Sequence, residues 1–484
     1  MVDYREPTLA IPYYNSKFMG QPTLEAITRE HLAELGCTVE LGTRLISFTQ
    51  DEKSVKAKVI KYSGNGGEEV EEDIEAAYLI GADGAKGVTR KQLGLSFLGT
   101  TREDDLMVLG DIHLETKGLD RDHWHFLSPM SRDVRISFRP TDELGKDGWQ
   151  FGMSSCTVDL KGLVHDEEAL VNCIQDSVGL GDHVKVKEVM WVSDFRPNMR
   201  MVNKLGAGRI FVAGGMDFNI AWKIALVYKG LSPASLLDTY TAERLPVIAE
   251  MLGFTTKLHD RTFDSSYVEH TARSTVDEDD NSKQMKSKLE RAMRRNGKMY
   301  MLGVNYRTSP IVVDEFVPTP TSGVAVVQST YGDSQEGILR AGDRAPDAPG
   351  LMPVGAPVCF DIFASTHHTV IMFAPALAVP VVRSVLATLD QSVPREVVRR
   401  VVVLPGSASG PDGRVEMSSE VDQAIDAEVL VGHAGHAYRG YIAESQEVKI
   451  IIVRPDGVVG ANVRGVTGLA RYLEGVFGRM VGMH

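Results

Sequence analysis

The stretch YLIGADGAKGVTR, Tyr78 to Arg90, turns an apolar run directly into Gly81-Ala82-Asp83-Gly84-Ala85-Lys86-Gly87. A buried strand that ends in glycines leaves bare backbone where a ligand can come close. Asp83 in such a turn can accept hydrogen bonds from sugar hydroxyls, which points to a nucleotide cofactor. The plainer alternative is a structural turn in which Asp83 and Gly84 only reverse the chain. VTRKQLGL then reads as a helix, with Arg90 as a surface ion-pair residue on it rather than a ligand.

Upstream, PTLEAITREHLAELG (22–36) reads as a helix, with Pro22 in its first turn and Gly36 as its stop. Leu24, Ile27 and Leu32 fall near one face. CTVELGTRLISFTQ and the alternating SVKAKVIKYS read as β structure, with GNGGEEVEED as a polar turn. Downstream, residues 96–198 carry strand-like runs such as VLGDIHLE, DVRISFRP, GWQFGMSS and VKVKEVMWVSDF, with one helix, LVHDEEALVNCIQDSV. GRIFVAGG is again a strand running into glycines. FNIAWKIALVYKG and ASLLDTYTAERLPVIAEMLGFTTKL repeat apolar residues at helical steps.

The segment from Asp277 to Asn296 is densely charged and reads as a solvated helix or linker. From about Val326, β-branched runs (HTVIMFA, RRVVVLPG, AEVLVGH, VKIIIVRPDGVVGANV) alternate with helical ones, which predicts a small α/β unit. Pro455-Asp456-Gly457 between two apolar runs predicts a hairpin turn.

The chain has 484 residues, 43% hydrophobic and 24% charged, which suits roughly three domains of a globular protein. Its net charge of −13 argues against nucleic-acid binding, which calls for a basic face. No apolar run reaches the ~18 residues of a membrane span, and no secretory leader is evident at the N-terminus. Cys37, Cys156, Cys173 and Cys359 are scattered, as reduced thiols of a cytoplasmic protein would be.

Gln21 in GQPTLEAITREHL, the Asp83-Gly84 turn, GRIFVAGG, DFNIAWKIALVYKG and LDTYTAERLP follow one another in an order that resembles the FAD-dependent aromatic hydroxylases. The similarity is to the phenol 2-monooxygenase and para-hydroxybenzoate hydroxylase group. LRAGDRAPDAPGL, Leu339 to Leu351, is similar to the opening of the thioredoxin-like C-terminal domain of the phenol hydroxylase branch.

The resemblance implies an α/β fold: an incomplete Rossmann-like FAD-binding domain (1–95 and 199–265), an inserted β-rich substrate domain (96–198), a helical linker (266–325) and a thioredoxin-like domain (326–484). It implies FAD as cofactor, with Gln21, Asp83, Gly84 and Gly214 at it, and the Trp222-Lys223 helix beside the flavin ring. For Trp222 itself, core packing is the plainer role. It further implies NADPH as electron donor and a flavin C4a-hydroperoxide that hydroxylates a phenolic substrate with dioxygen. The catalytic residues stay unassigned. Arg135 in DVRISFRP could meet an anion or phenolate, though a surface arginine is the simpler reading.

Two departures from the family pattern stand out. No GxGxxG unit precedes Gln21, and Gly215 stands where the family's GD aspartate would bind the ribityl chain. That predicts a sheet with an exposed edge and uncovered apolar surface. It also keeps open a second reading, an inactive flavoprotein remnant acting as a dimerising interaction protein.

The paired histidines His123/His125, His367/His368 and His433/His436 lack further ligands at zinc-binding spacing, so no metal is expected. Cys359 lies alone in an apolar stretch, which argues for packing or a dimer contact rather than redox chemistry.

Overall fold

The computed structural model describes residues 6–8, 11–15, 19–62, 69–101, 106–127, 134–155, 157–178, 184–196, 198–214, 218–263, 301–317, 329–332, 338–353, 362–375, 378–406, 425–432 and 435–478. The charged segment 277–296, Cys156, Cys359, His433 and Gly215 lie outside these residues.

The chain opens with helix α1 (Gln21–Glu34), then an antiparallel meander of β1 (Thr43–Gln50), β2 (Val55–Tyr62) and β3 (Glu69–Ala76). Val55, Ala57 and Val59 alternate inward on β2, while Lys58 points out to Glu71 and Asp73. α1 ends where expected, at Gly36 with φ +75°. Its apolar stripe is another matter. No residue of α1 is buried, and Leu24 and Ile27 are 55% and 40% exposed.

β4 (Leu79–Gly81) and the short α2 (Val88–Gln92) are the quoted opening stretch. β5 (Phe97–Thr101) is followed by β6 (Met107–Thr116), β7 (His125–Leu127), β8 (Arg135–Pro140) and β9 (Gly148–Ser154). Helices α3 (Leu160–Leu163) and α4 (Glu167–Val178) precede the long β10 (Val184–Phe195). Strands β6 to β10 form one antiparallel sheet in the order β10-β6-β9-β8-β7. One face is sealed by Ile112, Phe138, Trp149, Phe151 and Met153 packed with Leu160, Leu170 and Ile174 of the two helices.

β11 (Asn198–Val202) returns to pair with β5, and β12 (Gly206–Ala207) hairpins into β13 (Ile210–Val212). β13 pairs in parallel with β4, giving a three-stranded sheet β12-β13-β4. Among the described residues β4 is its edge, and Ile80 on that edge is 47% exposed. Among the described residues the sheet edge and the apolar face of α1 are thus exposed.

α5 (Phe218–Tyr228) leads through a 3-10 turn, Ala234–Leu237, into the long α6 (Asp238–Phe263). The remaining elements are β14 (Val313–Asp314), β15 (Leu351–Pro353), β16 (His368–Phe373), α7 (Val379–Ser392), β17 (Val398–Pro405), β18 (Glu428–Gly432), α8 (His436–Gly440), β19 (Lys449–Val453), β20 (Val459–Val463) and α9 (Val466–Phe477). Their strands make a seven-stranded mixed sheet ordered β14-β20-β19-β16-β17-β18-β15.

β16 runs parallel to β17 and antiparallel to β19, and β19 and β20 form the expected hairpin. In its turn Gly457 takes φ +75° and closes back on Arg454. One face of this sheet is buried under α7 and α9, together with Trp222 and Leu226 of α5 and Leu236 of the 3-10 turn. The first and last parts of the chain thus share a core.

Candidate cofactor and substrate site

Asp83 and Gly84 follow the carboxyl end of β4, and Gly214 follows the carboxyl end of its parallel neighbour β13. Ala213 N–H donates to Gly81 O at 2.9 Å, which locks the two strand ends side by side. Ligands of open parallel sheets sit at such ends. Gly84 has φ +73°, a left-handed conformation that favours glycine, and a Cβ at Gly84 or Gly214 would meet nothing within 4 Å.

Gly81 and Gly87 have different tasks. A Cβ on Gly81 would lie 2.5 Å from the Thr89 side chain, and one on Gly87 would lie 2.2 Å from the Asp83 carboxyl carbon. These two glycines let α2 pack against the strand end.

Asp83 is exposed, with one carboxylate oxygen turned back onto α2. Its Oδ2 accepts from Thr89 N–H at 2.9 Å and from the Thr89 hydroxyl at 3.1 Å, so it fastens the start of α2. Arg90 differs from the surface ion-pair expectation. Its guanidinium donates to Leu95 O at 3.2 Å and lies 4.8 Å from the Phe97 ring centre. It braces the turn through that carbonyl and ring. Gln21 opens α1, whose Thr23 hydroxyl donates to Glu143 in the β8–β9 turn at 2.6 Å. No described hydrogen bond joins Gln21 to the β4 and β13 ends.

FAD fits one side of this place. The open ground at Gly84 and Gly214 admits a ligand to bare backbone. The seat for its pyrophosphate, a glycine-rich loop ahead of a helix, is not found among the described residues, and one oxygen of the exposed Asp83 carboxylate is taken by Thr89.

The Trp222-Lys223 helix is buried against the C-terminal sheet. Trp222 is core, as its helical spacing suggested, and its indole N–H donates to Asp456 Oδ2 at 3.2 Å. Beside it lies a charge cluster with no counterpart in the sequence reading. Lys223 Nζ donates to Glu243 Oε2 at 2.7 Å and to Asn219 Oδ1 at 2.8 Å. Ser309 Oγ donates to Glu243 Oε1 at 2.6 Å, and Arg454 spans both Glu243 oxygens at 2.7 and 3.0 Å. Arg454 also holds Asp456 through Nε at 3.0 Å.

Burial works against ionising Glu243, but Arg454 and then Lys223 outweigh it and hold the carboxyl well below its usual range. Burial pushes the Lys223 ammonium down to about 8, against the pull of Glu243. The sequence held one clue: Asn219 and Lys223 are the polar pair four residues apart in an otherwise apolar helix.

Among the described residues the second face of the five-stranded sheet carries side chains that are only partly buried. Pairing aligns Trp191, Asp111, Gln150 and Arg139 across β10, β6, β9 and β8. The next row holds Ser193, Leu109, Gly152, Ser137 and Phe126. Arg135 lies on the same face, half-buried. Two irregularities in β10, between Val186 and Glu188 and between Val189 and Trp191, keep its valines inward while Trp191 faces out. The indole N–H of Trp191 donates to Asp111 Oδ2. Asp111 Oδ1 is covered and has no hydrogen-bond partner among the described residues.

The fold thus presents a glycine-lined end of two parallel strands and a separate antiparallel sheet covered by helices on one face. Residues 3–215 and 217–255 match the family described as FAD binding domain, and the chain belongs to that family, the FAD-dependent monooxygenases. It is 30% identical over 391 residues to a flavin-dependent monooxygenase of Mycobacteroides abscessus, covering 76% of this chain and 70% of that one. It is 33% identical over 271 residues to 6-methylpretetramide 4-monooxygenase of Streptomyces rimosus, covering 52% of this chain and 45% of the relative. Pentachlorophenol 4-monooxygenase of Sphingobium chlorophenolicum is 26% identical over 260 residues, 50% of this chain and 46% of the relative. The chain thus spans less than half the length of the last two.

Among solved structures, the flavin-dependent monooxygenase PieE in complex with FAD and substrate superposes with a TM-score of 0.68 at 20% identity, covering 94% of this chain and 80% of that one. At that identity the likeness concerns the fold. No helix among the described residues is long and apolar enough to cross a membrane.

Proposed function

We propose that this chain hydroxylates phenolic aromatic compounds with dioxygen, using FAD and a nicotinamide donor such as NADPH. The observation that carries the reading is the pair of open glycine positions, Gly84 and Gly214, at adjacent parallel strand ends. The names of the relatives supply the substrate class, since two of them act on 6-methylpretetramide and pentachlorophenol.

Bound FAD would supply the activation of dioxygen for transfer to an aromatic ring. In this reading residues 1–95 and 199–265 hold the cofactor, Gly84 and Gly214 lie under it, and Gln21 approaches it from α1. Residues 96–198 present the open β face to the substrate ring, orient it and keep water from it. The C-terminal unit, with 266–325 as the link, is thioredoxin-like. Support for that comes from the strand order β20-β19-β16-β17, with β17 parallel to β16 and β19 and β20 antiparallel.

The test is uptake and turnover. The purified chain is incubated with FAD and desalted, then assayed for NADPH oxidation with and without added phenols. Retained flavin absorption and phenol-stimulated oxidation support the reading. A colourless protein with no phenol-dependent oxidation sinks it.

A second reading, a non-catalytic remnant that dimerises, draws on one Asp83 carboxylate oxygen being held by Thr89 and on the β4 edge, unpaired among the described residues. It expects the colourless outcome together with a dimer in sedimentation.

A further inference from the structure

We propose that Lys449 is a covalent binding site for small hydroxylated aromatic aldehydes, which its amine captures as an imine while Asn462 accepts the hydroxyl. The site is built on other elements than the Gly84 and Gly214 strand ends, and it stands or falls apart from the monooxygenase reading.

The first ground is the amine. Lys449 opens β19 and is buried, and its Nζ donates to Tyr441 O at 2.8 Å and to Ile442 O at 3.0 Å. Among the described residues no carboxylate pairs with it; Asp314 acts on it only from farther away. Burial, opposed by Asp314 and helped by Arg464, pushes the ammonium down to about 8. Near neutral pH a sizeable share is therefore free amine, the form that attacks a carbonyl. With Cε and two N–H···O bonds at three corners of the nitrogen, the fourth carries the lone pair.

The second ground is space. Lys449 and Asn462 line a recess of about 180 Å³ whose apolar walls are Phe316, Leu339, Ile442 and Val448. That limits a guest to about a single ring. Glu444 and Glu447 at the same recess disfavour an anion, which selects a neutral carbonyl compound. Leu339, Ile442 and Glu444 also line a cavity of about 1630 Å³ between the segment around Ile11 and the C-terminal unit, so the recess has a way in.

The third ground is Asn462. It is fully buried on β20 and pairs with Ile451, two residues from Lys449 on the same face of β19. Its Nδ2 turns to Asp314 at 3.5 Å, and its Oδ1 has no donor among the described residues. A buried acceptor left unpaired is costly, and a guest hydroxyl would satisfy it.

The fourth ground is strain. Ile442, whose carbonyl holds the amine, has φ +49°, a left-handed conformation that a β-branched residue rarely adopts. Met301, with φ +61°, is the other such non-glycine residue among those described, and its neighbour Leu302 lines the large cavity. Strain of this kind collects at ligand sites.

Capture is a condensation. The nitrogen lone pair forms a C–N bond to the carbonyl carbon as the C=O π pair moves to oxygen. The oxygen then leaves as water with both amine hydrogens, and neither oxidant nor reductant is consumed. A proton taken up by the imine nitrogen restores one N–H for the Tyr441 and Ile442 carbonyls.

The experiment incubates the purified full chain with 3-hydroxybenzaldehyde, fixes any imine with sodium cyanoborohydride, and maps the lysines by digestion and mass spectrometry. Lys449 is expected to be labelled at about tenfold or more lower aldehyde concentration than the exposed Lys185 in the same digest. Its yield should fall as pH is lowered below about 8. Benzaldehyde, which lacks the hydroxyl, should need about fivefold more, and Asn462→Leu should remove that difference. Should Asn462→Leu fail to fold, the wild-type comparison of the two aldehydes decides.

Lys449 labelled no more readily than Lys185, or only after unfolding in urea, overturns the inference. So does equal labelling by the two aldehydes in the wild-type chain. FAD uptake by a chain whose Lys449 stays unlabelled overturns this inference alone. Labelling of Lys449 in a chain that takes up no FAD upholds it and leaves the loss with the monooxygenase reading.

Discussion

Arg454 grips both carboxylate oxygens of Glu243 although 211 positions separate them, and neither side chain has any exposed surface. Lys223 and Arg454 supply two positive charges, Glu243 and Asp456 two negative ones, so the cluster sums to zero, one balanced pair coming from α5 and α6 and the other from the β19–β20 turn. Arg454→Met removes the larger counter-charge and leaves Glu243 with Lys223 alone. Stripping one partner from a buried pair costs about 3–5 kcal/mol. Urea unfolding should show that loss. Pairing the change with Glu243→Gln should recover more than about 1 kcal/mol of it, the coupling expected of residues in contact.

His368 gives a dependence on pH. It is fully enclosed by Trp222, Tyr472 and Phe477, and neither ring nitrogen has a partner among the described residues. Burial, then the charge of Arg454, pushes its imidazole down to about 3 from an ordinary 6.5. Between those values the unfolded chain holds a proton that the folded one refuses, so stability falls as pH drops through that window. The contribution amounts to on the order of 4 kcal/mol by the low end. Denaturation midpoints measured from pH ~6.5 down to pH ~4 should slope less steeply for His368→Leu than for the wild-type chain.

Gly110→Ala tests the approach of β6 to β10. The added methyl would lie 2.5 Å from Trp191 O and 2.6 Å from the Phe151 ring, and the first of these is backbone that cannot turn aside. A loss of about 1–3 kcal/mol is expected, read as a lower unfolding midpoint and a shifted tryptophan emission. An unchanged midpoint would mean that the strands separate there at no cost.

The turn after β4 offers a graded series. Asp83→Ala removes the acceptor for Thr89 and should cost about 1 kcal/mol. Gly84→Ala meets open space, so only its left-handed φ is penalised, again about 1 kcal/mol. Gly87→Ala should cost more than either, because its methyl lands on the Asp83 carboxyl group. Thermal melts of the three variants give the order.

Local features were legible in the sequence and distant ones were not. The β4 strand and turn, the stop of α1 at Gly36 and the hairpin at Pro455-Asp456-Gly457 follow from glycine and proline backbone preferences, which act within a few residues. Gly214 and Asp83 were readable as strand-end residues for the same reason. That one oxygen of Asp83 holds Thr89 was not, since a capping carboxylate and a ligand-binding one look alike in one dimension. The Glu243–Arg454 contact leaves no period to detect. Trp191 was hidden because two irregularities break the alternation that assigns faces along β10.

The rim of β4, unpaired among the described residues, also bears on how the protein behaves at high concentration. A strand with free amides and carbonyls is a template on which another strand can form, whatever chain it belongs to. A net charge of −13 keeps molecules apart at a distance but does nothing at contact, where Ile80 and the exposed Leu24 and Ile27 of α1 meet whatever arrives. Crowding, more than heat, is then the condition under which this fold is first lost to self-association.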